Sequence, residues 1–177
     1  LRLKRAGMTV SQSITLVHKV ATVVAAIHRR NIVHRDIKPS NIILENGDLN
    51  APVLLDFGVA RRSSVFGGDI TTTGLVVGSA GYLSPEQATG QKDIDARADV
   101  YALGCLLFKC VSGKVPFRGE DPLAVLLKIS LEPPPRLREM VPGVPFELDE
   151  LVWRLLSKDR ELRPGSAEEV ARLLDGL

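Results

Sequence analysis

The stretch His34-Arg35-Asp36-Ile37-Lys38-Pro39-Ser40-Asn41, followed twenty residues after Asp36 by Asp56-Phe57-Gly58, decides the fold of this 177-residue chain. It fits the pattern H-R-D-x-x-x-x-N together with a later D-F-G. Four fixed positions at about one chance in twenty each match by accident in roughly one chain in a thousand of this length. The second triplet makes a coincidence rarer still, so we interpret both pieces as parts of one site.

These motifs resemble those of eukaryotic-like serine/threonine protein kinases, and the resemblance covers essentially all of residues 1–177. It implies the large, C-terminal lobe of a protein kinase domain: an α+β, predominantly α-helical fold in which a short β-hairpin carries the catalytic and metal-binding loops. The implied divisions are a catalytic loop at 34–41, an activation segment at 56–86 and a helical remainder at 97–177. Lys38 is typical of serine/threonine rather than tyrosine kinases.

The residue types suit phosphoryl transfer from ATP to an alcohol, which needs a proton acceptor near the hydroxyl and cations beside the phosphates. Asp36 is the predicted acceptor, and Lys38 adds positive charge near the moving phosphoryl group. Asn41 and Asp56 are the predicted ligands of Mg²⁺, with Mn²⁺ as the alternative, because oxygen ligands suit such hard cations. Asn41 and Lys38 lie close enough in sequence to Asp36 for one tight loop to hold all three.

The resemblance also assigns structural residues. Gly81-Tyr82-Leu83-Ser84-Pro85-Glu86 corresponds to the A-P-E end of the activation segment, with Ser84 in place of alanine. Glu86 is expected to form a buried ion pair with Arg163, and Asp99 to accept N–H groups of the catalytic loop. Ala80 and Arg160 stand where proline is commoner, and the pair Glu86-Gln87 favours a bacterial source. His34 and Phe57 are expected in the hydrophobic stack that aligns active kinases.

A regulatory role is expected for Arg35, which in similar kinases grips a phosphate on the activation loop. Thr71, Thr72 and Thr73 offer three acceptors, and a phosphothreonine carries roughly −1.5 to −2 charge. We therefore predict that phosphorylation within Thr71–Thr73 raises activity. Ser79 matches the hydroxyl residue that similar kinases place between Asp36 and Lys38.

Hydrophobic periodicity predicts the elements around these motifs. Apolar residues at three-to-four spacing and a Thr9/Gln12 capping box predict a helix over about 10 to 30. Short strands are predicted at 42–44 and 53–55, an exposed loop over 59 to about 83, and a buried helix from Arg97 to Ser112. Three further helices are predicted near 123–129, 148–155 and after Ser166.

Composition excludes several classes of protein. The 23 basic and 21 acidic residues leave a formal charge of +2, too balanced to favour nucleic acid as a partner. The apolar stretch 100–108 is far shorter than the about 20 residues of a membrane span, so none is expected. Cys105 and Cys110 are interpreted as buried small residues, which agrees with a reducing, cytoplasmic location, although the parent protein can be membrane-anchored elsewhere.

No Gly-rich loop, phosphate-binding lysine strand or partner glutamate of a kinase small lobe is found in the sequence. We expect the chain to begin inside a longer gene product whose upstream part supplies the small lobe. The segment alone is then expected to be inactive. Its partner in the whole enzyme is a protein substrate with a serine or threonine acceptor.

Two alternatives stay open at this point. One is a truncated protein or pseudokinase that uses the helical lobe as a non-catalytic interaction module. The other is a small-molecule phosphotransferase of related fold, which the Phe57-Gly58 pair and Ser84-Pro85-Glu86 disfavour.

Overall fold

The structure, a computed structural model, describes residues 8–55 and 77–177. The predicted site residues Asp56, Phe57, Gly58 and Thr71–Thr73 lie outside these residues. The described elements, in chain order, are α1 (Val10–His28), β1 (Ile42–Leu44), β2 (Pro52–Leu54), α2 (Val77–Ala80), α3 (Pro85–Ala88), α4 (Arg97–Ser112), α5 (Pro122–Leu131), α6 (Leu137–Met140), α7 (Phe146–Leu155) and α8 (Ala167–Asp175). The prediction of a mainly helical fold with one small hairpin is confirmed.

α1 begins at the predicted capping box. Thr9 Oγ1 accepts the N–H of Gln12 at 3.1 Å, and Gln12 Oε1 accepts the N–H of Thr9 at 2.9 Å. These bonds satisfy two of the N–H groups that a helix start leaves unpaired. The helix packs against α8 and α4 through one apolar face, whose fully buried members are Leu16, Val17, Val20, Ala21 and Val24.

α1 is also long and apolar enough to cross a membrane by length and composition alone, with 19 residues and a mean hydropathy of 1.4. The sequence prediction that no membrane span is present rests on residues 100–108 and does not consider α1, which passes this test by length and composition only. Leu16 and Val17 are completely buried against other helices, as in the core helix of a globular domain.

The hairpin follows the catalytic loop. β1 and β2 are antiparallel, with Ile42 opposite Leu54 and Ile43 opposite Val53, so β2 begins one residue earlier than predicted. Beyond β2, the N–H of Leu55 donates to the carbonyl of Asn41 at 2.8 Å. The chain therefore runs beside Asn41 at the residue just before Asp56.

α4 forms the centre of the helical part, and both of its predicted ends are confirmed. It is buried on nearly every face and stops at Gly113, whose φ of 73° lies in the left-handed region that glycine adopts without strain. Gly104 allows close packing on α7, since a Cβ there would lie 2.6 Å from the Leu155 Cβ. Cys105 and Cys110 are buried in this helix, and burial raises the pKa of both thiols, that of Cys110 to about 12.

The three late helices occur where predicted, as α5, α7 and α8. Asp121 and Ser166 cap α5 and α8 by accepting the N–H groups of Ala124 and Glu169. The prediction of an exposed loop over 59 to about 83 is wrong at the C-terminal end of that range. Val77–Ala80 is helical, and Ala80 and Leu83 are 0% and 8% exposed. α2 packs against α5, which accounts for the burial of Ala80.

Candidate active site

Asp36 lies between two polar neighbours of its own loop. Lys38 Nζ donates to both carboxylate oxygens of Asp36, at 2.9 and 2.8 Å. Asn41 Nδ2 donates to the Asp36 backbone carbonyl at 2.8 Å and to Asp36 Oδ2 at 2.9 Å. Lys38 and Asn41 are only 9% and 8% exposed, so water is largely excluded from these hydrogen bonds and they are stronger than the same bonds in water. The structure thus brings the two predicted catalytic residues, Asp36 and Lys38, together with the predicted metal ligand Asn41.

Two residues of the loop, Ile37 and Pro39, help to set its shape. Ile37, between Asp36 and Lys38, is 1% exposed and packs in the hydrophobic core. Pro39 opens a 3₁₀ turn that ends at Asn41, and its fixed φ suits the first position of such a turn. The turn directs Asn41 back toward Asp36 before the chain enters β1.

Asn41 also fits a role as metal ligand. Both hydrogen bonds of its amide nitrogen go to oxygen atoms, which fixes which end of the amide is nitrogen. The remaining Asn41 Oδ1 accepts the Ser40 hydroxyl at 3.4 Å and is an oxygen of the kind that Mg²⁺ prefers. The second predicted ligand, Asp56, follows Leu55, whose N–H is bonded to Asn41.

His34 connects this loop to the end of the hairpin. Its Nδ1 accepts the N–H of Asp36 at 3.3 Å, so its Nε2 carries the proton and donates to the Leu55 carbonyl at 3.2 Å. The ring is 1% exposed. His34 therefore contacts the residues on either side of the predicted site, at Asp36 and next to Asp56.

Asp99 holds the start of the loop. It lies in the first turn of α4, is fully buried, and accepts the N–H groups of His34 and Arg35, each at 2.7 Å. Arg35 has a φ of 66°, a conformation that costs a non-glycine residue free energy unless its surroundings enforce it. The two bonds to Asp99 supply part of that enforcement.

His28, which sequence reasoning missed, is the third partner of Asp99. Its Nε2 lies 2.8 Å from Asp99 Oδ2, while no partner is found for its buried Nδ1 within 8–55 and 77–177. The only signal in the sequence is indirect, since a buried carboxylate needs more donors than two N–H groups. Nothing in the pattern of α1 separates His28 from a surface residue at a helix end.

Glu86 and Arg163 form a bidentate ion pair, with Nη1–Oε1 and Nη2–Oε2 distances of 2.8 and 2.9 Å. The other N–H groups of Arg163 donate to the backbone carbonyls of Arg97, Ser157 and Lys158, which completes its five donors. Burial alone would raise the pKa of Glu86, but the hydrogen bonds and charge of Arg163 outweigh burial and hold that pKa below its usual value. The pair joins α3 to α4 and to the turn after α7.

The remaining predicted residues are placed as follows. Ser84, which stands in place of the alanine of the A-P-E motif, is fully buried and caps the N-terminus of α3. Arg160 pairs with Asp93 at 3.1 Å and lies 3.7 Å from Asp95. Ser79 lies in α2, where its carbonyl accepts the N–H of Tyr82 at 3.4 Å, and its role near Asp36 stays a prediction.

The family model described as protein kinase domain matches residues 2–173. The chain is 37% identical over 163 residues to serine/threonine-protein kinase PknB of Mycobacterium tuberculosis (strain ATCC 25618 / H37Rv), covering 92% of this chain and 26% of that protein. It is 42% identical over 144 residues to PknB of Mycolicibacterium smegmatis, covering 81% of this chain and 22% of the relative. The chain is also 42% identical over 144 residues to the probable serine/threonine-protein kinase SCO3848 of Streptomyces coelicolor, covering 81% of this chain and 21% of that protein.

The chain therefore belongs to the protein kinase domain family, and the relatives named above are bacterial serine/threonine kinases. It spans about a quarter of the length of the curated relatives it matches.

Proposed function

We propose that this chain forms the catalytic lobe of a bacterial serine/threonine protein kinase, which transfers the γ-phosphoryl group of ATP to a hydroxyl of a protein substrate. The observation that carries the proposal is the position of Asp36, held by Lys38 Nζ at 2.8 Å and Asn41 Nδ2 at 2.9 Å. The family match and the kinase names of the relatives support the same chemistry.

In this proposal each residue has one task. The substrate hydroxyl oxygen attacks the γ-phosphorus, the bond to the β-phosphate oxygen breaks, and the hydroxyl proton passes to an Asp36 carboxylate oxygen. Lys38 places positive charge beside the carboxylate and the transferring group. Asn41 and Asp56 would hold Mg²⁺, which when bound neutralises the charge on the phosphates.

The proposed domain division keeps residues 1–177 in the large lobe, with the catalytic loop at 34–41, the activation segment at 56–86 and the helical remainder at 97–177. The Gly-rich loop and the phosphate-binding lysine would come from a small lobe of the same protein. We therefore assign activity to the protein that contains both lobes. Cytoplasmic location of this domain is part of the proposal, since ATP and protein substrates must reach it.

The test is a phosphotransfer assay of the full-length protein with labelled ATP, Mg²⁺ and a library of serine and threonine peptides. Asp36→Asn should lower kcat by at least about 10²-fold, the smallest usual contribution of general base catalysis. Asp175→Asn is the matched control, because the Asp175 side chain is 82% exposed and lies in the last turn of α8.

Other outcomes would identify a different function. Equal rates in Asp36→Asn and the wild type would overturn the assignment of the base. Absence of ATP-dependent transfer combined with binding of a protein partner would favour an interaction module. Transfer to aminoglycosides instead of peptides would favour a small-molecule phosphotransferase.

A further inference from the structure

The side chain of Gln87 links the end of the predicted activation segment to the catalytic loop. Its Oε1 accepts the backbone N–H of Ser84 at 3.0 Å, and Ser84 Oγ accepts the backbone N–H of Gln87 at 3.4 Å; these two bonds form the capping box of α3. Gln87 Oε1 also accepts the Ser84 hydroxyl at 3.2 Å. Its Nε2 donates to the backbone carbonyl of Arg35 at 3.0 Å, 52 residues earlier in the chain. One amide therefore completes a helix cap and reaches across to a second element.

The chemistry of the partners fixes the orientation of this amide. A backbone N–H can only donate and a backbone carbonyl can only accept, so the oxygen must face Ser84 and the nitrogen must face Arg35. Ser84 is fully buried and Gln87 is partly buried. The contact is thus partly sheltered from competing water.

The carbonyl of Arg35 belongs to the peptide unit that leads into Asp36. At the other end of that unit, the Asp36 N–H donates to His34 Nδ1 at 3.3 Å. Both polar groups of this peptide plane are therefore held by side chains, and its orientation sets the direction of the Asp36 Cα–Cβ bond.

Arg35 is also tied to the segment from α3 to α4 through its other groups. Its N–H donates to Asp99 Oδ1 at 2.7 Å, and its Nη2 donates to the Ile94 carbonyl at 3.2 Å. Because the φ of Arg35 is 66°, this backbone relaxes to a commoner conformation unless such bonds restrain it. Gln87 supplies the restraint on the carbonyl side.

We propose that Gln87 is a positioning residue for Asp36, which makes the orientation of the catalytic base depend on the correct seating of α3. The proposal rests on the proposed function, in which Asp36 accepts the substrate proton. α3 ends the predicted activation segment, so displacement of its first turn would release the Arg35 carbonyl and let the peptide plane before Asp36 rotate.

The chain contains a matched control. Gln12 has the same capping-box geometry with Thr9 at the start of α1, and both of its box contacts are exposed. No hydrogen bond from Gln12 to a second element is found within the described residues. Substitutions at Gln12 therefore report the effect of a weakened or altered cap alone.

Two variants separate the cap from the link. Gln87→Glu keeps an oxygen for the Ser84 N–H, and glutamate suits the third position of a helix, but it lacks the donor to Arg35. Gln87→Met has neither function and no charge. We expect kcat for a serine or threonine peptide to fall about 3- to 10-fold in both, the usual size of one lost hydrogen bond, with KM for ATP within about 2-fold.

Gln87→Glu and Gln12→Glu both keep a capping acceptor, so any further loss of Tm in full-length Gln87→Glu measures the broken contact with Arg35. Hydrogen exchange in the peptide containing residues 34–38 should be faster in Gln87→Glu than in Gln12→Glu. Unchanged kcat, or a loss of kcat that appears only in Gln87→Met and follows its Tm, would overturn the positioning role. Wild-type protein that phosphorylates no peptide would instead overturn the proposed function, while the exchange rates would still decide whether Gln87 restrains the loop.

Discussion

Arg163 and Glu86 form a bidentate ion pair although they lie 77 residues apart in the sequence. The Arg163 side chain is 0% exposed and that of Glu86 is 4% exposed. Since every N–H of the guanidinium has an acceptor, the pair meets the condition under which burial of two charges is tolerated.

Loss of one partner should be far more damaging than loss of both. Glu86→Gln in the full-length protein should lower the free energy of unfolding by about 3–5 kcal/mol, because the charge of Arg163 would stay buried without its counterion. The double variant Glu86→Leu/Arg163→Met should lose less. Urea denaturation followed by circular dichroism measures both, and equal losses in the single and double variants would contradict this account.

The same pair predicts a dependence on pH. The folded pKa of Glu86 lies below its ordinary value of 4.5, so the pair contributes fully above that pH and its contribution is lost as the pH falls through the folded pKa. The free energy of unfolding of the wild type should therefore fall more steeply below pH 5 than that of the double variant. Parallel curves for the two proteins would show that other carboxylates control acid unfolding.

Asp99 should affect both stability and rate. In Asp99→Asn, an NH₂ group would face donors where the carboxylate now accepts from His34, Arg35 and His28, which costs about 3 kcal/mol of unfolding free energy for unsatisfied buried groups. We also expect kcat to fall, because the freed N–H groups lie next to Asp36.

Asp149 offers a matched control for this variant. Asp149 lies in α7 and is 5% exposed. It accepts the N–H groups of Leu137 and Arg138 at the start of α6, and Arg136 donates to it. Like Asp99, it is therefore a buried carboxylate that accepts two consecutive backbone N–H groups. Asp149→Asn should be similarly destabilising and should leave kcat unchanged below the Tm. If both variants reduce kcat in proportion to stability, Asp99 has no specific effect on the loop.

Local signals explain why much of the fold is predictable. α1 and α4 follow from apolar spacing, capping residues and Gly113, all of which act within a few residues. The catalytic loop is predictable because its polar residues lie within eight positions. The short elements α3 and α6 have only four residues each, too few for a periodic pattern to stand out.

Contacts between distant segments explain what sequence reasoning missed. His28, Gln87 and Arg160 have ordinary local contexts, and only packing brings them to Asp99, Arg35 and Asp93. The prediction of an exposed loop is wrong near Ser79 for the same reason. The Ser- and Gly-rich composition there does not indicate that α2 packs on α5. The Glu86–Arg163 pair was expected only through the family resemblance.

Tyr101 carries a hydroxyl that should be dispensable. The side chain is fully buried, and no hydrogen-bond partner of its OH is found in the described part of the chain. Burial also raises the pKa of the phenol well above its usual value. Tyr101→Phe should therefore keep the free energy of unfolding or raise it by up to about 1 kcal/mol, whereas Tyr101→Ala should lower it by about 3–5 kcal/mol. A clear loss in Tyr101→Phe would reveal a partner for the hydroxyl.

Phosphorylation within Thr71–Thr73 should raise activity through Arg35. Those threonines lie outside the described residues, but Arg35 is described, and its backbone leads directly into Asp36. A phosphate of roughly −1.5 to −2 charge bound to the guanidinium would add a restraint to a residue whose φ of 66° already depends on its partners. Mass spectrometry of active full-length protein should find phosphate there, and Thr71→Ala/Thr72→Ala/Thr73→Ala should lower kcat.

Thr22→Ala, in an exposed position of α1, serves as the control. Arg35→Met should reduce the rate of the phosphorylated protein more than that of the unphosphorylated one; equal reductions would mean that Arg35 acts only on the loop backbone and not on a phosphothreonine.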